Sequence, residues 1–289
     1  MSDATTVSDP AAAVAAIEGR ARRVETPCGD GTMAWRIWGS ENADAEPLVL
    51  GHGAQGAWSH WIANIDALSK HRTIIAADLP GHGDSAMPAS ADHRGISEAL
   101  AAGLRQLLPD GRPVDLVGFS FSGTAFSHFA AWYPDLVSRV ILIGCGGLDT
   151  PLGHVDLKPA RGLTGEDRRA VLKSNLLALM LHADDAVDDL AIHLLEKNAR
   201  AARLANAADL VLPDKLVAIL PEVKARVDAI WGEYDNPHPA PPLQEAVIRR
   251  SHPQADFRVI ADAGHWVMYE RPEVLNAVLL DMLGHAPRP

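Results

Sequence analysis

The sequence VGFSFSG, at residues 117–123, lies between an apolar run typical of a buried strand and a run with helical spacing. On such a strand-to-helix turn the backbone bends sharply and exposes the hydroxyl of the serine, while small neighbours let strand and helix approach. The segment departs from the pattern G-x-S-x-G only at Ser122, which replaces the second glycine. Its glycine spacing also fits a phosphate-binding loop, but Thr124 stands where that loop needs lysine. The turn predicts a reactive Ser120, although alone it could be an ordinary glycine-rich turn.

Strands and helices alternate along the chain on both sides of this turn. The predicted strands cover residues 21–25, 32–38, 47–51, 73–78, 114–119, 140–143, 227–231 and 257–260. The predicted helices cover residues 58–70, 95–108, 123–132, 243–250 and 272–283. The first two strands form a hairpin, because glycine and aspartate between them supply turn conformations. The later alternation indicates the α/β class, with a mostly parallel sheet that carries helices on both faces.

The alternation stops in the second half of the chain. After residue 146 the sequence is rich in glycine and proline, and two or three helical patterns follow, including those at residues 166–181 and 188–204. The strand and helix pattern resumes after residue 221. We therefore predict an α/β core formed by residues 1–146 and 222–289, interrupted by a helical insert at 147–221.

The composition excludes several classes of protein. Of the 289 residues, 47% are hydrophobic and 22% are charged, which is typical of a globular protein that buries a full core. A formal net charge of -11 argues against binding to nucleic acid or to an anionic membrane. Two cysteines are too few for a disulfide framework, and the alanine-rich N-terminus does not resemble a secretory signal. We expect a cytoplasmic protein that acts on a small molecule, and a homodimer is compatible with the sequence.

Polar residues follow the carboxyl ends of the predicted parallel strands, where ligands bind in such sheets. His265 follows the last strand, and a histidine there could accept a proton from a serine hydroxyl. Asp235 follows the preceding strand, and a buried carboxylate there could orient the imidazole. Asp149 is the main competitor for the acid, and Glu233 is a third candidate. The positions thus favour a triad of Ser120, Asp235 and His265.

On these residues the chain resembles the α/β-hydrolase family, in its branch with a serine nucleophile and a helical cap. The order serine, acid, histidine is that of the family. The segments LVLGHG at 48–53, DLPGHGDS at 78–85 and WGEYD at 231–235 are similar to its recurring pieces. The resemblance implies eight strands, a cap inserted after the sixth strand, and no cofactor. It also implies an oxyanion hole formed by the backbone N–H groups of Ala54 and Phe121.

Several side chains are candidates for lining a substrate pocket. They are Gln55, Trp58, Phe119, Met180, Leu181, His182 and Trp266. The competing interpretation is that most of the aromatic ones belong to the core, and we expect about half to contact substrate. His52 and His82 lie in His-Gly turns, and the sequence has no H-E-x-x-H motif or cysteine cluster. We therefore expect these two histidines to form structural hydrogen bonds, and we predict no metal site.

The leading functional hypothesis is a serine hydrolase that cleaves a small, largely apolar ester or lactone through an acyl-enzyme. A non-catalytic ligand receptor on the same scaffold is one alternative, which turnover would distinguish. Haloalkane dehalogenases and epoxide hydrolases are disfavoured, because these relatives use aspartate where Ser120 stands.

A hydrolase of carbon–carbon bonds in ring-opened aromatic products is the other alternative. The sequence GHW at 264–266 resembles a segment of those enzymes. Against this hypothesis, Phe119 stands where they commonly have asparagine, and residues 52–58 contain fewer glycines than their oxyanion segment. Arg200 or Arg203 in the insert could supply the contact to a substrate carboxylate that such an enzyme needs.

Overall fold

The apolar runs of the chain form one mixed sheet of eight strands. The computed structural model describes residues 9–39 and 45–284. The strands are β1 (Arg22–Cys28), β2 (Gly31–Trp38), β3 (Leu48–Gly51), β4 (Ile74–Ala77), β5 (Val114–Phe119), β6 (Val137–Ile143), β7 (Arg226–Gly232) and β8 (Phe257–Ile260). Their order is β1-β2-β4-β3-β5-β6-β7-β8, and β2 runs antiparallel to both of its neighbours while the other pairs are parallel. The predicted α/β fold with a mostly parallel sheet is confirmed.

Helices cover both faces of this sheet. They are α1 (Pro10–Glu18), α2 (Ile65–Leu68), α3 (His93–Leu107), α4 (Phe121–Trp132), α5 (Gly165–Leu179), α6 (Asp189–Ala201), α7 (Lys215–Ile219), α8 (Pro241–Ser251), α9 (Val267–Glu270) and α10 (Pro272–Met282). Successive strand residues point to opposite faces, so Leu116 packs into one apolar cluster and Val117 into the other. Every residue of β5 is buried, as expected for a strand at the centre of a two-faced sheet.

Residues 58–70 do not form the single helix that their apolar spacing predicts. The structure has a short 3-10 turn at Trp58–Trp61 and then only one turn of α-helix, α2. All four residues of the 3-10 turn are buried, so no polar face is left for solvent. The carbonyl of His60 accepts a hydrogen bond from the indole of Trp266 at 3.0 Å. The backbone N–H groups of His60, Ile62 and Asn64 donate to carbonyls three residues back instead of four, so the stretch is not a regular α-helix.

The segment between β6 and β7, all of which the structure describes, contains the helices α5, α6 and α7 and no strand. Helix α7 packs against α4, and its residues Leu216 and Ile219 belong to the same apolar cluster as that helix. The boundaries of the insert at residues 147 and 221 stay predictions. The outer limits of the core, residues 1 and 289, lie outside the described residues.

Cys28 and Cys145 are both buried and unpaired. Among the described residues, no helix combines the length and the apolar character that crossing a membrane requires.

Candidate active site

Ser120 lies at the sharp turn between β5 and α4. Its backbone has φ of 51° and ψ of -113°, and a positive φ is uncommon for a residue with a side chain. Glycines let the strand and the helix meet here, since a Cβ on Gly118 would lie 2.6 Å from the Cα of Gly123. The backbone N–H of Ser120 donates to the carbonyl of Ile143, on β6, at 2.8 Å. The turn is thus held by tertiary contacts in a conformation typical of functional sites.

Ser122, two residues further on, is in a different environment. Its side chain is fully buried, and its hydroxyl donates to the carbonyl of Phe119 at 3.0 Å. Gly51 on β3 makes room for it, because a Cβ there would lie 2.6 Å from the Cβ of Ser122. Ser120 is half-buried, so of the two serines it is the one that a ligand can reach.

His265 and Asp235 are joined by a short hydrogen bond. Nδ1 of His265 lies 2.8 Å from Oδ2 of Asp235, and both side chains are buried. Gly144, which follows β6, leaves the space for them: a Cβ there would lie 2.8 Å from Oδ2 and 3.0 Å from Nδ1. The carbonyl of the preceding residue, Ile143, binds Ser120. The structure therefore brings the loops of all three predicted triad residues together beside the end of β6.

Asp235 is ionised in this setting. Burial alone would raise the pKa of its carboxyl group, but the facing His265 and His238 outweigh that cost and lower it to about 2. His265 is hydrogen-bonded to Oδ2, and the backbone N–H of His238 donates to Oδ1 at 2.9 Å. Such a carboxylate can hold an imidazole in one tautomer and stabilise its protonated form.

The two competing acids lie elsewhere. Asp149 is exposed, and its backbone N–H donates to the carbonyl of Pro213 at 3.0 Å. Glu233 is also exposed, and its carboxylate accepts the backbone N–H of Asp262 at 3.1 Å. His265 is thus hydrogen-bonded to Asp235, the acid that its position after β7 favours.

Ser120 lines a cavity of about 450 Å³ between the sheet and the insert. Ala54, Gln55 and Phe121 line the same cavity, so the predicted oxyanion donors lie around the predicted nucleophile. Phe121 is the first residue of α4, and the first N–H groups of a helix have no partner within it. The positive end of the dipole of α4 also favours negative charge at this position. A developing oxyanion needs backbone N–H donors beside the nucleophile, and the oxyanion hole stays a prediction.

The roof of the Ser120 cavity comes from residues 199–212 of the insert. Most of these side chains are alanine, leucine or valine. Arg203 also lines the cavity, but its guanidinium donates to the backbone carbonyls of Ser85 and Ala201. Arg200 lies outside it, is exposed, and pairs with Glu196 at 3.5 Å. Of the two arginines left open by the sequence, the structure brings only Arg203 to the cavity.

Met180, Leu181 and His182 line a second cavity, of about 460 Å³, together with Asp235 and His265. They therefore lie beside the acid and the base of the predicted triad and not in the cavity that Ser120 lines.

Among the described residues, the three predicted aromatic pocket residues line neither of these two cavities. Trp58, Phe119 and Trp266 are each at most 2% exposed and belong to the core. Trp58 donates its backbone N–H to Asp78 at 2.8 Å. Phe119 lies against the imidazole of His265, with ring centroids 4.8 Å apart. For these residues, the core interpretation fits their positions.

His52 and His82 are buried next to the sheet and hydrogen-bonded to the backbone. Nε2 of His52 accepts the N–H of Leu79 at 2.9 Å, and its Nδ1 lies 2.8 Å from the carbonyl of Gly53. Burial is the main cause that lowers the pKa of His52 to about 4 and that of His82 to about 3. Neutral, hydrogen-bonded histidines of this kind suit the structural role that we expect for them.

Within the described residues, the one group of three residues of metal-ligating type is Asp235, His238 and His265, whose ligand atoms lie within 4.8 Å of one another. Nδ1 of His265 is engaged by Asp235. The group therefore has the geometry of a hydrogen-bonded acid–base cluster, and the absence of a metal site stays a prediction.

Sequence reasoning missed two residues of this region. His238 lies beside Asp235 and lines the Ser120 cavity; the spacing of three residues, with a proline on each side, was the signal that could have found it. Glu270 is buried and accepts the backbone N–H of Gly264 at 2.7 Å and that of Ala183 at 2.6 Å. It thereby ties the insert to the loop that carries His265, and no local pattern marks it for that role.

Known proteins resemble this chain over most of its length. A model described as the alpha/beta hydrolase family matches residues 48–278. The chain is 31% identical, over 88% of its length and 67% of the relative's, to the dihydrolipoyllysine-residue acetyltransferase component of the acetoin cleaving system of Pseudomonas putida. It is 30% identical, over 84% of its length and 88% of the relative's, to a 2-hydroxy-6-oxononadienedioate/2-hydroxy-6-oxononatrienedioate hydrolase of Paraburkholderia phymatum. The solved structure of naproxen esterase from Bacillus subtilis shares the fold, with a TM-score of 0.78 at 19% identity, covering 94% of this chain and 95% of that one.

Proposed function

This chain belongs to the α/β-hydrolase family, and we propose that it is a serine hydrolase that cleaves a small, largely apolar carboxylic ester or lactone. The 2.8 Å hydrogen bond between His265 and Asp235 is the observation that carries the proposal. With the Nδ1 proton directed at the carboxylate, Nε2 of His265 is left as an acceptor for the hydroxyl proton of Ser120.

In the proposed reaction, the oxygen of Ser120 attacks the substrate carbonyl carbon while its proton passes to His265. Asp235 stabilises the imidazolium that forms. The backbone N–H groups of Ala54 and Phe121 stabilise the negative charge on the carbonyl oxygen. The bond to the leaving oxygen then breaks as the imidazolium returns its proton to that oxygen. A water molecule hydrolyses the acyl-serine by the same route, and the scheme needs no cofactor.

The cavity supports the choice of substrate size and polarity. Its volume of about 450 Å³ lies within the range of small-molecule sites, about 300 to 1,000 Å³. The alanine and leucine side chains of residues 199–212 make its roof apolar. Solved esterases share the fold, as the naproxen esterase shows, and an ester substrate is consistent with that likeness.

A carbon–carbon bond hydrolase is the second candidate, because Arg203 lines the cavity and could bind a substrate carboxylate. A relative at 30% identity carries the name of such a hydrolase. Two observations favour the ester or lactone instead. Phe119 offers no hydrogen bond beside the nucleophile, and the guanidinium of Arg203 already donates to three backbone carbonyls.

A comparison of kcat/KM values tests the proposal. The purified protein is assayed with short-chain aryl esters, with lactones and with a ring-opened 2-hydroxy-6-oxodienoate, and Ser120→Ala serves as the control for background hydrolysis. We expect repeated turnover of an ester or lactone and a lower kcat/KM for the dienoate. If the dienoate is preferred by more than about tenfold, which is about 1.4 kcal/mol of transition-state binding, the second candidate replaces the first. Retention of every ligand without product release would indicate a receptor.

A further inference from the structure

Asp235 faces two imidazoles, not one. His265 is hydrogen-bonded to Oδ2. On the other oxygen, Oδ1, His238 places both its backbone N–H, at 2.9 Å, and its ring Nδ1, at 3.4 Å. The two rings are 5.4 Å apart between centroids. A single carboxylate thus organises two histidines, and the proposed reaction uses only one of them.

His238 is held firmly in this position. Its neighbours are Pro237 and Pro239, whose rings fix the backbone on both sides. The carbonyl of Pro237 accepts the N–H of Gly153 at 3.0 Å, and the amide of Asn236 donates to the carbonyl of Ala178 at 2.5 Å. Both contacts tie the loop to the insert. The side chain itself is only 8% exposed, so its position is determined by packing.

The remaining nitrogen of His238 faces the nucleophile cavity. A Cβ on Gly146 would lie 3.0 Å from Nε2, and both Gly146 and His238 line the cavity that Ser120 lines. Nδ1 has no hydrogen-bond partner of good geometry among the described residues. Nδ1 nevertheless lies 3.4 Å from Oδ1 of Asp235, so the neutral tautomer that carries its proton on Nδ1 directs that proton towards the carboxylate. In that tautomer Nε2 presents a lone pair to the cavity.

The other polar side chains of the cavity offer different chemistry. Arg203 is a donor without acceptor capacity, and its guanidinium is engaged by backbone carbonyls. Gln55 is exposed. His238 therefore supplies the buried acceptor of this cavity, and a buried acceptor that a bound ligand leaves unpaired costs binding free energy.

We infer that His238 is a further substrate-binding residue, whose Nε2 accepts a hydrogen bond from a hydroxyl group of the substrate. The enzyme thereby selects hydroxylated esters or lactones over their deoxy analogues. A site built to hydrogen-bond a substrate hydroxyl rejects the analogue that lacks it far more strongly than an apolar pocket rejects a missing methylene. The inference rests on the proposed function, because it needs Ser120 to react in the same cavity.

The test compares plain substrates with analogues that carry one added hydroxyl. The pairs are p-nitrophenyl butyrate with its 2-hydroxy and 3-hydroxy analogues, and γ-butyrolactone with its α-hydroxy and β-hydroxy analogues. For the wild type we expect at least one hydroxylated analogue to exceed its plain partner in kcat/KM by about tenfold or more. His238→Phe keeps a ring without nitrogen and should reduce that ratio to below about twofold, through a rise in KM for the hydroxylated analogue.

Two further variants make the result specific. His238→Gln places an amide near the position of Nε2 and should retain part of the preference. His193→Phe makes the same change on α6, outside both cavities, and should leave the ratio unchanged. If His238→Phe does not fold, His238→Gln and the competitive inhibition of the wild type by hydroxylated and plain product acids replace it.

The outcomes separate the two proposals. If the wild type turns over esters but shows no preference for any hydroxylated analogue, or if the preference survives in His238→Phe, the role of His238 is wrong and the proposed function stands. If no ester or lactone is turned over and a fluorophosphonate does not label Ser120, the proposed function fails and the role of His238 falls with it.

Discussion

The ends of the strands and the insert contribute to the same cavity, but they are built differently. Every residue of β5, which ends next to Ser120, is buried. In α6 of the insert, by contrast, whose Ala199 lines this cavity, four of the 13 residues are buried. Rigid, fully packed elements hold reacting groups in place, whereas a loosely packed cover can change shape with its ligand. We therefore expect the core to determine the chemistry and the insert to determine the choice of substrate.

Removing the nucleophile should have the largest effect and should not depend on the substrate. Ser120→Ala is expected to lower kcat by about 10³- to 10⁶-fold for every ester or lactone that the wild type cleaves. Ser122→Gly is the matched control. The hydroxyl of Ser122 donates to the neighbouring carbonyl of Phe119, so most activity should remain when it is removed. A Ser120→Ala variant with near-normal kcat on any of these substrates would show that Ser120 is not the nucleophile. The assignment of the chemistry to the core would then be wrong.

The acid is the second test of the core. Asp235→Asn should preserve the fold but disturb the tautomer of His265, and we expect kcat to fall by up to about 10⁴-fold. Asp149→Asn, in the segment that follows β6, should have a far smaller effect, because that side chain is exposed. Steady-state kinetics on one aryl ester decides between them. If the two effects come out reversed, the acid lies at the start of the insert.

The stability of the core should depend on pH through its buried histidines. His52 has a folded-state pKa of about 4, and His82 of about 3, against 6.5 for an unperturbed histidine. Since the folded pKa values are depressed, protons bind the unfolded chain first, and stability is lost as pH falls below 6.5 towards 4. We expect each of the two to remove about 2 kcal/mol of unfolding free energy between pH 7 and pH 5.

Urea denaturation at several pH values measures this loss. His52→Gln keeps hydrogen-bonding groups without a titrating ring, so its unfolding free energy should vary less with pH than that of the wild type. An unfolding free energy that stays constant from pH 7 to pH 5 would mean that these histidines are not buried as neutral groups.

The junction between the two regions should give the smallest effect. Glu270→Gln leaves a single acceptor oxygen where two now receive the N–H groups of His182, Ala183 and Gly264. Leaving one N–H unpaired should cost about 1 to 3 kcal/mol, seen as a lower melting temperature and faster proteolysis within the insert. Glu273→Gln changes an exposed glutamate and should stay within about 0.5 kcal/mol. Equal effects of the two substitutions would show that Glu270 does not anchor the insert.

The same division explains what could be predicted from the sequence. Continuous apolar runs predict buried strands, and the predicted bounds of β5 and β8 are the observed ones. Position after a strand was enough to choose Asp235 and His265, which the structure joins by a hydrogen bond. These features depend on local pattern and on the geometry of a parallel sheet, both of which a sequence displays.

The insert and the pocket could not be predicted in this way. Helical periodicity identifies α5 and α6 but does not say which side faces Ser120, and Met180 to His182 line a different cavity from the one that Ser120 lines. No role was predicted for His238, because its contribution to the site depends on a carboxylate three residues away and on a cavity formed by distant segments. Trp58 and Trp266 are the opposite case: they are candidates for the pocket by sequence, but both are buried in the core beneath the site, as aromatic residues often are.

Covalent labelling tests most directly whether Ser120 is the nucleophile of a hydrolase. The folded protein is treated with a fluorophosphonate and digested, and mass spectrometry locates the adduct. We predict one adduct, on Ser120, which is lost in Ser120→Ala and retained in Ser122→Gly. An adduct on Ser122, or no adduct on the folded wild-type protein, would contradict the proposed mechanism.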